Sequence, residues 1–258
     1  MNPQAAPKIT VITPSFNQGK FIKETIDSVL AQSYPNLEYW VMDGGSTDET
    51  VTILKSYGEK INWISEPDSG QTDALNKGIR RATGEIITYI NSDDVYLPNT
   101  LNTVAEYFTE HPQTQWVTGD YFIIDEAGKK IQSFVANYKK FLRSHLSLSL
   151  LLVANPVIQP STFWRRSLMS EVGLFDETLH LCMDYDCWLR IMQRYPVAVL
   201  HQHFSLFRIH AKSKGGEQYT KQFAEEYAVA RRYTTNTFLL ALHKLHATLI
   251  VLAYSFLK

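Results

Sequence analysis

The chain has 258 residues, enough for one sizeable domain with a full hydrophobic core, with or without an appendage. Its apolar fraction of 45% is ordinary for a globular protein, and its net charge of −1 gives no electrostatic reason to expect nucleic-acid binding. Its two cysteines, Cys182 and Cys187, are too few for a disulfide framework, and its first residues contain no apolar segment typical of a signal peptide. We therefore expect a protein of the reducing cytoplasm.

The first hundred residues alternate between short β-rich runs and amphipathic helical segments. The β-rich runs are KITVITP, LEYWVMD, INWIS and EIITYIN, and apolar residues between them recur at helical spacing, as at Ile22, Ile26 and Val29. The second helix is predicted to begin with a capping box of Ser46 and Glu49. Alternation of this kind predicts an α/β fold with βαβ units and a mainly parallel, twisted, Rossmann-like sheet that carries helices on both faces.

Beyond residue 101 the pattern becomes mixed. TQWVTGDYFIID and KIQSFV are predicted antiparallel strands around the turn EAGK, whereas FLRSHLSLSLLL is ambiguous. QPSTFWRRSLMSEVGLFDE predicts a strand and a helix, YDCWLRIMQRYP a helix, and VAVLHQHFSLFRIH a pair of strands. We predict one domain over residues 1–234, with a nucleotide-fold half at about 8–100 and a mixed half at about 101–215 that can hold a second substrate.

The segment 235–258 is strongly apolar but is interrupted by His243, Lys244 and His246. Its uninterrupted part, ATLIVLAYSFL, is shorter than the roughly 20 residues that a membrane-spanning helix needs. Three interpretations stay open: a helix lying at a membrane surface, a helix packed on the domain or on a partner, and a true membrane span. A homodimer formed through this segment is one form of the second interpretation.

Polar clusters follow the predicted strands of the first half, as TPSFN, DGGST, EPDSGQ and NSDD. Ligands of parallel sheets bind outside the carboxyl ends of the strands, so these clusters are predicted to meet at one site. In NSDD, Asp93 and Asp94 are adjacent carboxylates that repel each other and are poor strand formers. The pair fits either a surface turn or a divalent cation held on a phosphorylated ligand.

In order and spacing, three stretches of the chain resemble the family 2 glycosyltransferases. They are ITVITPSFNQGKFIKETIDSVLAQSYPNLEYWVMDGGSTDET, GQTDALNKGIRRATGEIITYINSDD and MDYDCWLR, and the resemblance covers about residues 8–210. It implies an inverting enzyme of the GT-A fold that moves a sugar from a nucleotide-diphosphate sugar, with UDP favoured, to an acceptor hydroxyl. The implied setting is bacterial polysaccharide, O-antigen or lipid-linked glycan assembly, and the apolar segment 235–258 suggests the cytoplasmic face of a membrane as its location. The alternative is an inactive sugar-nucleotide-binding or scaffold protein of the same fold.

The resemblance also assigns a metal site. NSDD resembles the DxD motif, which implies that Asp94 binds Mn²⁺ or Mg²⁺ on the diphosphate and that Asp93 contacts the ribose or the donor sugar. A hard cation suits carboxylate and phosphate oxygens and offsets the charge of the departing diphosphate. His210 is similar to a histidine that completes the metal shell, with a structural histidine as the alternative. Lys212 and Lys214 suggest a loop that closes over the diphosphate.

Further resemblance concerns the donor pocket. Asp43 is similar to the acid that hydrogen-bonds uracil, and its alternative is a turn or helix cap before Ser46. Phe16 occupies the position of an aromatic residue facing the base, and its alternative is core packing. Asn76 could equally be a cap or a helix-surface residue. The other implied donor contacts are Pro14, Asn17, Gln71, Asp73 and Ser92.

LCMDYDCWLR resembles the acidic motif that carries the catalytic base, which implies that Asp184 deprotonates the acceptor hydroxyl. Met183 replaces the acid that usually precedes it. Asp186 is the alternative base, and in a helix the two side chains point about 200° apart, so only one is expected to face the site. Trp188 is expected to pack or to form the floor of the acceptor site. Weaker acceptor contacts are implied for Gln159, Ser161 and Arg165.

Overall fold

A computed structural model describes residues 6–211 and 219–257. The first half of the chain forms parallel strands linked by helices. Its elements are β1 (Ile9–Ser15), α1 (Ile22–Leu30), β2 (Leu37–Asp43), α2 (Thr50–Ser56), a 3₁₀ turn (Gly58–Lys60), β3 (Asn62–Ser65), α3 (Gln71–Arg81) and β4 (Ile86–Tyr89). Strand β1 pairs in parallel with β2 and with β4, and β2 pairs in parallel with β3. The βαβ prediction is therefore confirmed.

The second half extends the same sheet with strands of both directions. Its elements are β5 (Val95–Tyr96), α4 (Thr100–Glu110), β6 (Trp116–Ile124), β7 (Lys130–Ile131), α5 (Ser133–Arg143), α6 (Leu148–Val153), a 3₁₀ turn (Gln159–Ser161), β8 (Thr162–Arg165), α7 (Leu168–Val172), α8 (Met183–Met192), β9 (Ala198–Arg208), α9 (Tyr219–Tyr233) and α10 (Thr237–Leu257). The described residues give a nine-stranded sheet of order β3-β2-β1-β4-β8-β6-β9-β5, with β7 attached to β6. Strand β8 is antiparallel to both β4 and β6, whereas β9 is parallel to β6. The predicted mixed half is confirmed.

Two predictions of secondary structure in this half are wrong. KIQSFV was expected to be a strand, but the strand ends at Ile131 and helix α5 begins at Ser133. VAVLHQHFSLFRIH was expected to be a strand pair, but Ala198–Arg208 is one long strand whose pairing with β6 shifts register on either side of Asp120. A bulge of this kind lets one long strand bend where a hairpin would otherwise turn.

Apolar clusters lie on both faces of the sheet. Val11 and Ile12 are neighbours on β1 but belong to different clusters, because successive side chains of a strand point to opposite faces. The larger cluster contains three fully buried tryptophans, with the ring of Trp188 centred 5.6 Å from that of Trp116 and 5.5 Å from that of Trp164. Helices cover both faces as predicted, so the sheet is a rigid support for side chains at its edge.

Helix α10 packs on α6 and α9. The histidines that interrupt its apolar sequence face the domain: His243 Nδ1 lies 2.8 Å from the carbonyl oxygen of Leu152, and His246 Nε2 lies 2.9 Å from the Tyr138 hydroxyl. This contact agrees with the interpretation of a helix packed on the domain. Within residues 6–211 and 219–257, no helix combines the length and apolar content needed to cross a membrane.

A buried ion pair fixes α5 on β6, and its loss is expected to destabilise the fold. Arg143 and Asp120 are in contact with side chains only 1% and 2% exposed, and Lys140 Nζ lies 2.9 Å from the other Asp120 oxygen. Because Asp120→Asn leaves a buried cation without its counter-charge, we expect it to lower the free energy of unfolding by about 3–5 kcal/mol. Chemical denaturation measures this loss. The matched control, Asp27→Asn, removes a half-exposed surface pair and should cost at most about 1 kcal/mol.

The pH dependence of this contribution follows from the pKa of Asp120. Burial acts to raise that pKa, but Lys140 and Arg143 outweigh burial and hold it below its ordinary value of 3.8. Since the folded pKa is depressed, the stabilisation is present above the ordinary pKa and is lost as the pH falls through the folded pKa. If Asp120→Asn were as stable as the parent chain at neutral pH, the pair would not contribute as described.

Candidate active site

The carboxyl ends of β1, β2 and β4 meet at one edge of the sheet because these strands run in the same direction. The polar clusters that follow them surround a cavity of about 540 Å³, which we call the strand-end cavity and which is of the size of known ligand sites. The convergence expected from the strand order is confirmed. Six residues predicted to contact the donor or its metal line this cavity: Pro14, Phe16, Gln71, Ser92, Asp93 and His210.

The last residue of β1 and the turn after it both line the strand-end cavity. Phe16 is 58% exposed there, so the core-packing alternative for this aromatic residue is wrong. Ser15, which was not predicted, is only 5% exposed, and its hydroxyl has no hydrogen-bond partner among the described residues. A buried hydroxyl usually has a partner, so Ser15 is a candidate to bind a ligand polar group in this cavity.

Asp43 is buried at the end of β2, and its carboxylate accepts four hydrogen bonds. The donors are the backbone nitrogens of Gly45 and Ser46, at 3.2 and 2.9 Å, and the hydroxyls of Ser46 and Ser65, at 2.5 and 2.6 Å. The two backbone contacts are those expected if Asp43 stabilises a turn before Ser46. Recognition of the base by Asp43 stays a prediction. The capping-box prediction is wrong, because the Ser46 hydroxyl serves Asp43 and α2 begins at Thr50 without a side-chain cap.

Asn17 and Asp73 shape the loops beside the cavity but are not among the described residues that line it. Asn17 has a φ of 52°, in the left-handed region that asparagine tolerates, and its Oδ1 accepts a 2.9 Å hydrogen bond from Thr47 N. Asp73 Oδ2 accepts a 3.0 Å hydrogen bond from Ser69 N just before α3. Both side chains hold backbone in place, so the prediction of direct donor contact receives no support from their geometry.

Asn76 is 1% exposed and joins α3 to the segment after α7. Its Nδ2 donates to the Phe175 carbonyl at 2.9 Å and to Glu177 Oε1 at 2.8 Å, and its Oδ1 accepts from Phe175 N at 3.1 Å. The prediction that Asn76 contacts the donor is wrong, because its amide makes all of these hydrogen bonds to other parts of the protein. The alternative of a cap or helix-surface residue is also wrong, because the side chain is buried.

The two carboxylates of NSDD have different surroundings. Asp93 faces the strand-end cavity, where its Oδ2 lies 3.0 Å from His210 Nε2. Asp94 is 1% exposed, and its oxygens accept hydrogen bonds from Arg208 N at 2.9 Å and Asn91 Nδ2 at 3.2 Å. Burial, followed by the charge of Asp93, raises the pKa of Asp94 well above its ordinary value, although Arg208 and Asn91 act in the opposite direction. The structure therefore brings Asp93, rather than Asp94, to the cavity beside His210.

The described residues contain no group of three or more potential metal ligands, so a cation would need ligands from the substrate. Asp93 and His210 supply one carboxylate and one imidazole on the cavity wall, which fits Mn²⁺ or Mg²⁺ sites completed by phosphate oxygens and water. The predicted closing loop at Lys212 and Lys214 lies outside the described residues.

Arg208 is a site residue that the sequence reading missed. It is 2% exposed, lines the strand-end cavity and lies over the Phe21 ring at 5.1 Å. Its Nε donates to the Asp93 carbonyl at 2.9 Å, and its NH2 group donates to Glu24 Oε2 at 2.6 Å. Arg208 thus holds the NSDD turn in place and brings a fixed positive charge to the cavity. In the predicted strand segment VAVLHQHFSLFRIH, Arg208 lies two residues before His210, so alternation within that prediction would have placed both on one face.

Asn91, also missed, connects the strand-end cavity to a second cavity. Its Oδ1 accepts a 2.8 Å hydrogen bond from Gln71 Nε2, and its Nδ2 lies 3.1 Å from Gln159 Oε1. Gln159 Nε2 in turn donates to the carbonyl oxygen of Tyr89 at 2.6 Å. Asn91 therefore holds Gln71 in place at the strand-end cavity and Gln159 in place at the second cavity.

The second cavity, of about 240 Å³, is lined by Asp184 and Gln159, and we call it the Asp184 cavity. Asp184 lies in the first turn of α8, where its Oδ1 accepts a 2.8 Å hydrogen bond from Tyr185 N. Phe207 of β9 lines both cavities, so they lie on either side of one side chain. The predicted base and the predicted acceptor contact Gln159 are brought together.

Asp186, the alternative base, points into the protein. It is 3% exposed, its Oδ2 accepts a 2.9 Å hydrogen bond from Arg190 Nε, and its Oδ1 accepts one of 2.6 Å from the Tyr233 hydroxyl. The bond from Tyr233 ties α8 to α9. Of the two carboxylates, Asp184 is the one that faces a cavity, as the helical spacing predicted.

Three predicted acceptor contacts lie elsewhere. Trp188 is fully buried in the tryptophan cluster, so the packing expectation is confirmed and the acceptor-floor expectation is wrong. Ser161 is fully buried, with its hydroxyl 3.0 Å from the Asp120 carbonyl oxygen and bonded within the core. Arg165 pairs across the sheet with Ile86 at the start of β4, whereas the site is at the end of that strand. Its predicted role is therefore wrong.

A sequence profile described as Glycosyl transferase family 2 matches residues 10–173. An uncharacterized glycosyltransferase of Rickettsia typhi is 31% identical over 207 residues, which are 80% of this chain and 65% of that protein. The chain thus spans slightly less than two thirds of this relative. With most of its length matched, the chain belongs to glycosyl transferase family 2.

Solved structures agree on the fold. TarS 1-349 of S. aureus in complex with UDP-GlcNAc has a TM-score of 0.70 at 20% identity, over 89% of this chain and 67% of that chain. A mannosyltransferase of Pyrobaculum calidifontis in complex with GDP-Man and Mn²⁺ has a TM-score of 0.71 at 18% identity, over 99% and 81% of the two chains. The fold is GT-A, as predicted from the sequence.

Proposed function

We propose that the chain is a metal-dependent inverting glycosyltransferase that moves a sugar from a nucleotide-diphosphate sugar, with UDP favoured, to an acceptor hydroxyl. The observation that carries this proposal is the pair of cavities on either side of Phe207. One holds the NSDD turn with Asp93 and His210, and the other holds Asp184. Binding of nucleotide sugars by proteins of the same fold supports the assignment of the strand-end cavity to the donor.

In the proposed reaction Asp184 accepts the proton of the acceptor hydroxyl. The acceptor oxygen forms a bond to the anomeric carbon while the bond from that carbon to the diphosphate oxygen breaks, so one displacement inverts the configuration. Phe16 and Ser15 bind the nucleoside part of the donor, and Arg208 keeps Asp93 oriented. A cation held by Asp93, His210 and the diphosphate would offset the charge of the departing nucleotide diphosphate.

The acceptor is proposed to be a glycan or a lipid-linked glycan, handled at the cytoplasmic face of a membrane. Support for contact with the membrane surface comes from α10, whose outward face carries exposed Phe238, Leu245, Leu249 and Leu252. These residues are spaced by seven, four and three positions, so they form one apolar stripe along the helix. Such a stripe suits a helix that lies on a lipid surface.

The donor nucleotide is tested by calorimetric titration of UDP and of GDP into the protein, with Mn²⁺ and then with EDTA. We expect UDP to bind in Mn²⁺ and to bind at least tenfold more weakly in EDTA, because the cation would join the diphosphate to Asp93 and His210. Metal-dependent binding of GDP alone would keep the reaction class and overturn the assignment of UDP. Absence of binding by both nucleotides to folded protein would overturn the proposed function and favour a scaffold role.

A further inference from the structure

The wall of the Asp184 cavity has an apolar part and a polar part. Val135 and Leu142 from α5, Val157 from the segment after α6 and Ile250 from α10 line it, together with Phe207. Polar side chains also line it, and they can pair the hydroxyls of a sugar; they include Gln132, Asn155, Gln159 and Gln222. A wall that combines both kinds of side chain suits a ligand with an apolar group and a hydrogen-bonding end.

A pair of opposite charges belongs to the polar part of the wall. Lys139 from α5 and Glu226 from α9 both line the Asp184 cavity, and Glu226 is 6% exposed with its Oε1 3.1 Å from Gln222 Nε2. Burial, followed by the charge of Asp184, raises the pKa of Glu226 to about 7, against the opposing effects of Lys139 and of the hydrogen bond from Gln222. Burial also lowers the pKa of Lys139, against the charges of Glu226 and Asp184. These groups concentrate hydrogen-bonding capacity beside Asp184.

Two of the helices that line this cavity, α5 and α10, also carry apolar side chains on their outer faces. Phe134 and Phe141 of α5 are 76% and 64% exposed, and Leu245 and Leu249 of α10 are each 56% exposed. Neither helix contains an acidic residue. An amphiphilic molecule would therefore meet apolar surface both outside the cavity and along its wall.

We propose that the acceptor is an amphiphile, whose hydroxyl-bearing end lies at Asp184 beside Lys139 and Glu226 and whose apolar group lies between α5 and α10. This inference rests on the proposed function, because the Asp184 cavity is the acceptor site only if Asp184 is the base. It names the substrate class of that site: a hydroxyl attached to an aliphatic or aromatic body, such as a glycolipid or a hydrophobic glycoside. The polar pair orients the hydroxyl end, and the apolar wall supplies most of the affinity.

The test compares n-octyl β-D-glucopyranoside, below its micelle concentration, with methyl β-D-glucopyranoside in calorimetric titrations without donor. We expect the octyl compound to bind saturably with one molecule per chain and at least tenfold more tightly than the methyl compound, because only its alkyl chain fills the apolar wall. Equal binding of the two compounds would overturn the inference.

Matched variants decide where the alkyl chain lies. Ile250 lines the cavity, whereas its neighbour Leu249 is exposed on the outer face of α10. Ile250→Trp should weaken octyl glucoside binding at least tenfold and Leu249→Trp less than twofold. Equal effects of the two would place the alkyl chain on the outer surface and overturn the inference. If Ile250→Trp fails to fold, Val135→Trp on α5 fills the same cavity from the opposite helix.

Titration of UDP into the same samples separates this inference from the proposed function. Neither position 249 nor position 250 lines the strand-end cavity, so nucleotide affinity should be unchanged in both variants. If the octyl and methyl compounds bound equally while the nucleotide bound normally, only the proposed acceptor class would be overturned. If the octyl compound bound more tightly than the methyl compound and the variants acted as predicted, but the chain bound neither UDP nor GDP, the apolar cavity would be upheld and the proposed function overturned.

Discussion

Replacement of Asp184 by asparagine is expected to slow sugar transfer by about 10²–10⁴-fold, the usual contribution of a general base. The amide has the size of the carboxylate but cannot accept the proton of the acceptor hydroxyl. Donor affinity should stay within about twofold of the parent chain, because Asp184 lines its own cavity and not the strand-end cavity. Turnover and nucleotide titration on the same preparation measure both quantities.

The control for this variant is Asp186→Asn, two residues along the same helix. Asp186 is bound to Arg190 and Tyr233, so its loss should lower stability while transfer per folded molecule stays near that of the parent chain. Near-normal turnover of Asp184→Asn would show that the base has been assigned to the wrong residue. Loss of turnover in Asp186→Asn alone, with a normal unfolding midpoint, would point to Asp186.

Replacement of Asp93 by alanine is expected to weaken nucleotide binding in Mn²⁺ by about 100-fold. Removing a hydrogen-bond partner of a metal ligand costs about 10–100-fold in metal affinity. Loss of the Asp93 carboxylate itself, which lies 3.0 Å from His210 Nε2 on the cavity wall, should therefore cost about 100-fold. In EDTA the parent and the variant should bind the nucleotide equally. Parallel titrations with Mn²⁺ and EDTA measure the difference.

Asp94→Asn is the matched comparison for Asp93→Ala. The Asp94 side chain is buried and accepts a hydrogen bond from Arg208 N, which an amide oxygen can also accept. We expect this variant to retain most of the metal-dependent affinity. If Asp94→Asn lost that affinity and Asp93→Ala kept it, the assignment of the metal to Asp94 by family resemblance would stand, and the assignment to Asp93 from the geometry would be wrong.

The fold was largely predictable from the sequence, because its signals are local. The alternation of β-rich runs and amphipathic helices is visible in any short window, and β1 to β4 follow it. The errors arose where tertiary contacts decided between local options. KIQSFV is apolar enough for a strand, but the ion pair of Arg143 with Asp120 fixes α5 on β6. The strand β9 continues through a bulge where a turn was expected.

The candidate site was predictable in its position but less so in the direction of individual side chains. The rule for parallel strands placed the polar clusters at one edge, and it made no distinction between Asp93, which faces the cavity, and Asp94, which is buried. Asn76 lies in a matching motif, yet its amide is used by a backbone segment about a hundred residues away in sequence. Glu226 joins the Asp184 cavity through tertiary packing alone, and no local pattern identifies it.

The most direct test of the central claim is proton NMR of the sugar released when the chain slowly hydrolyses the UDP-sugar or GDP-sugar that it binds. In this assay water takes the place of the acceptor, so the acceptor need not be known. We expect the first sugar released to have the anomeric configuration opposite to that in the donor, and Asp184→Asn to slow its release by at least about 100-fold. A first product with retained configuration, or an unchanged rate in Asp184→Asn, would contradict a single inverting displacement with Asp184 as the base.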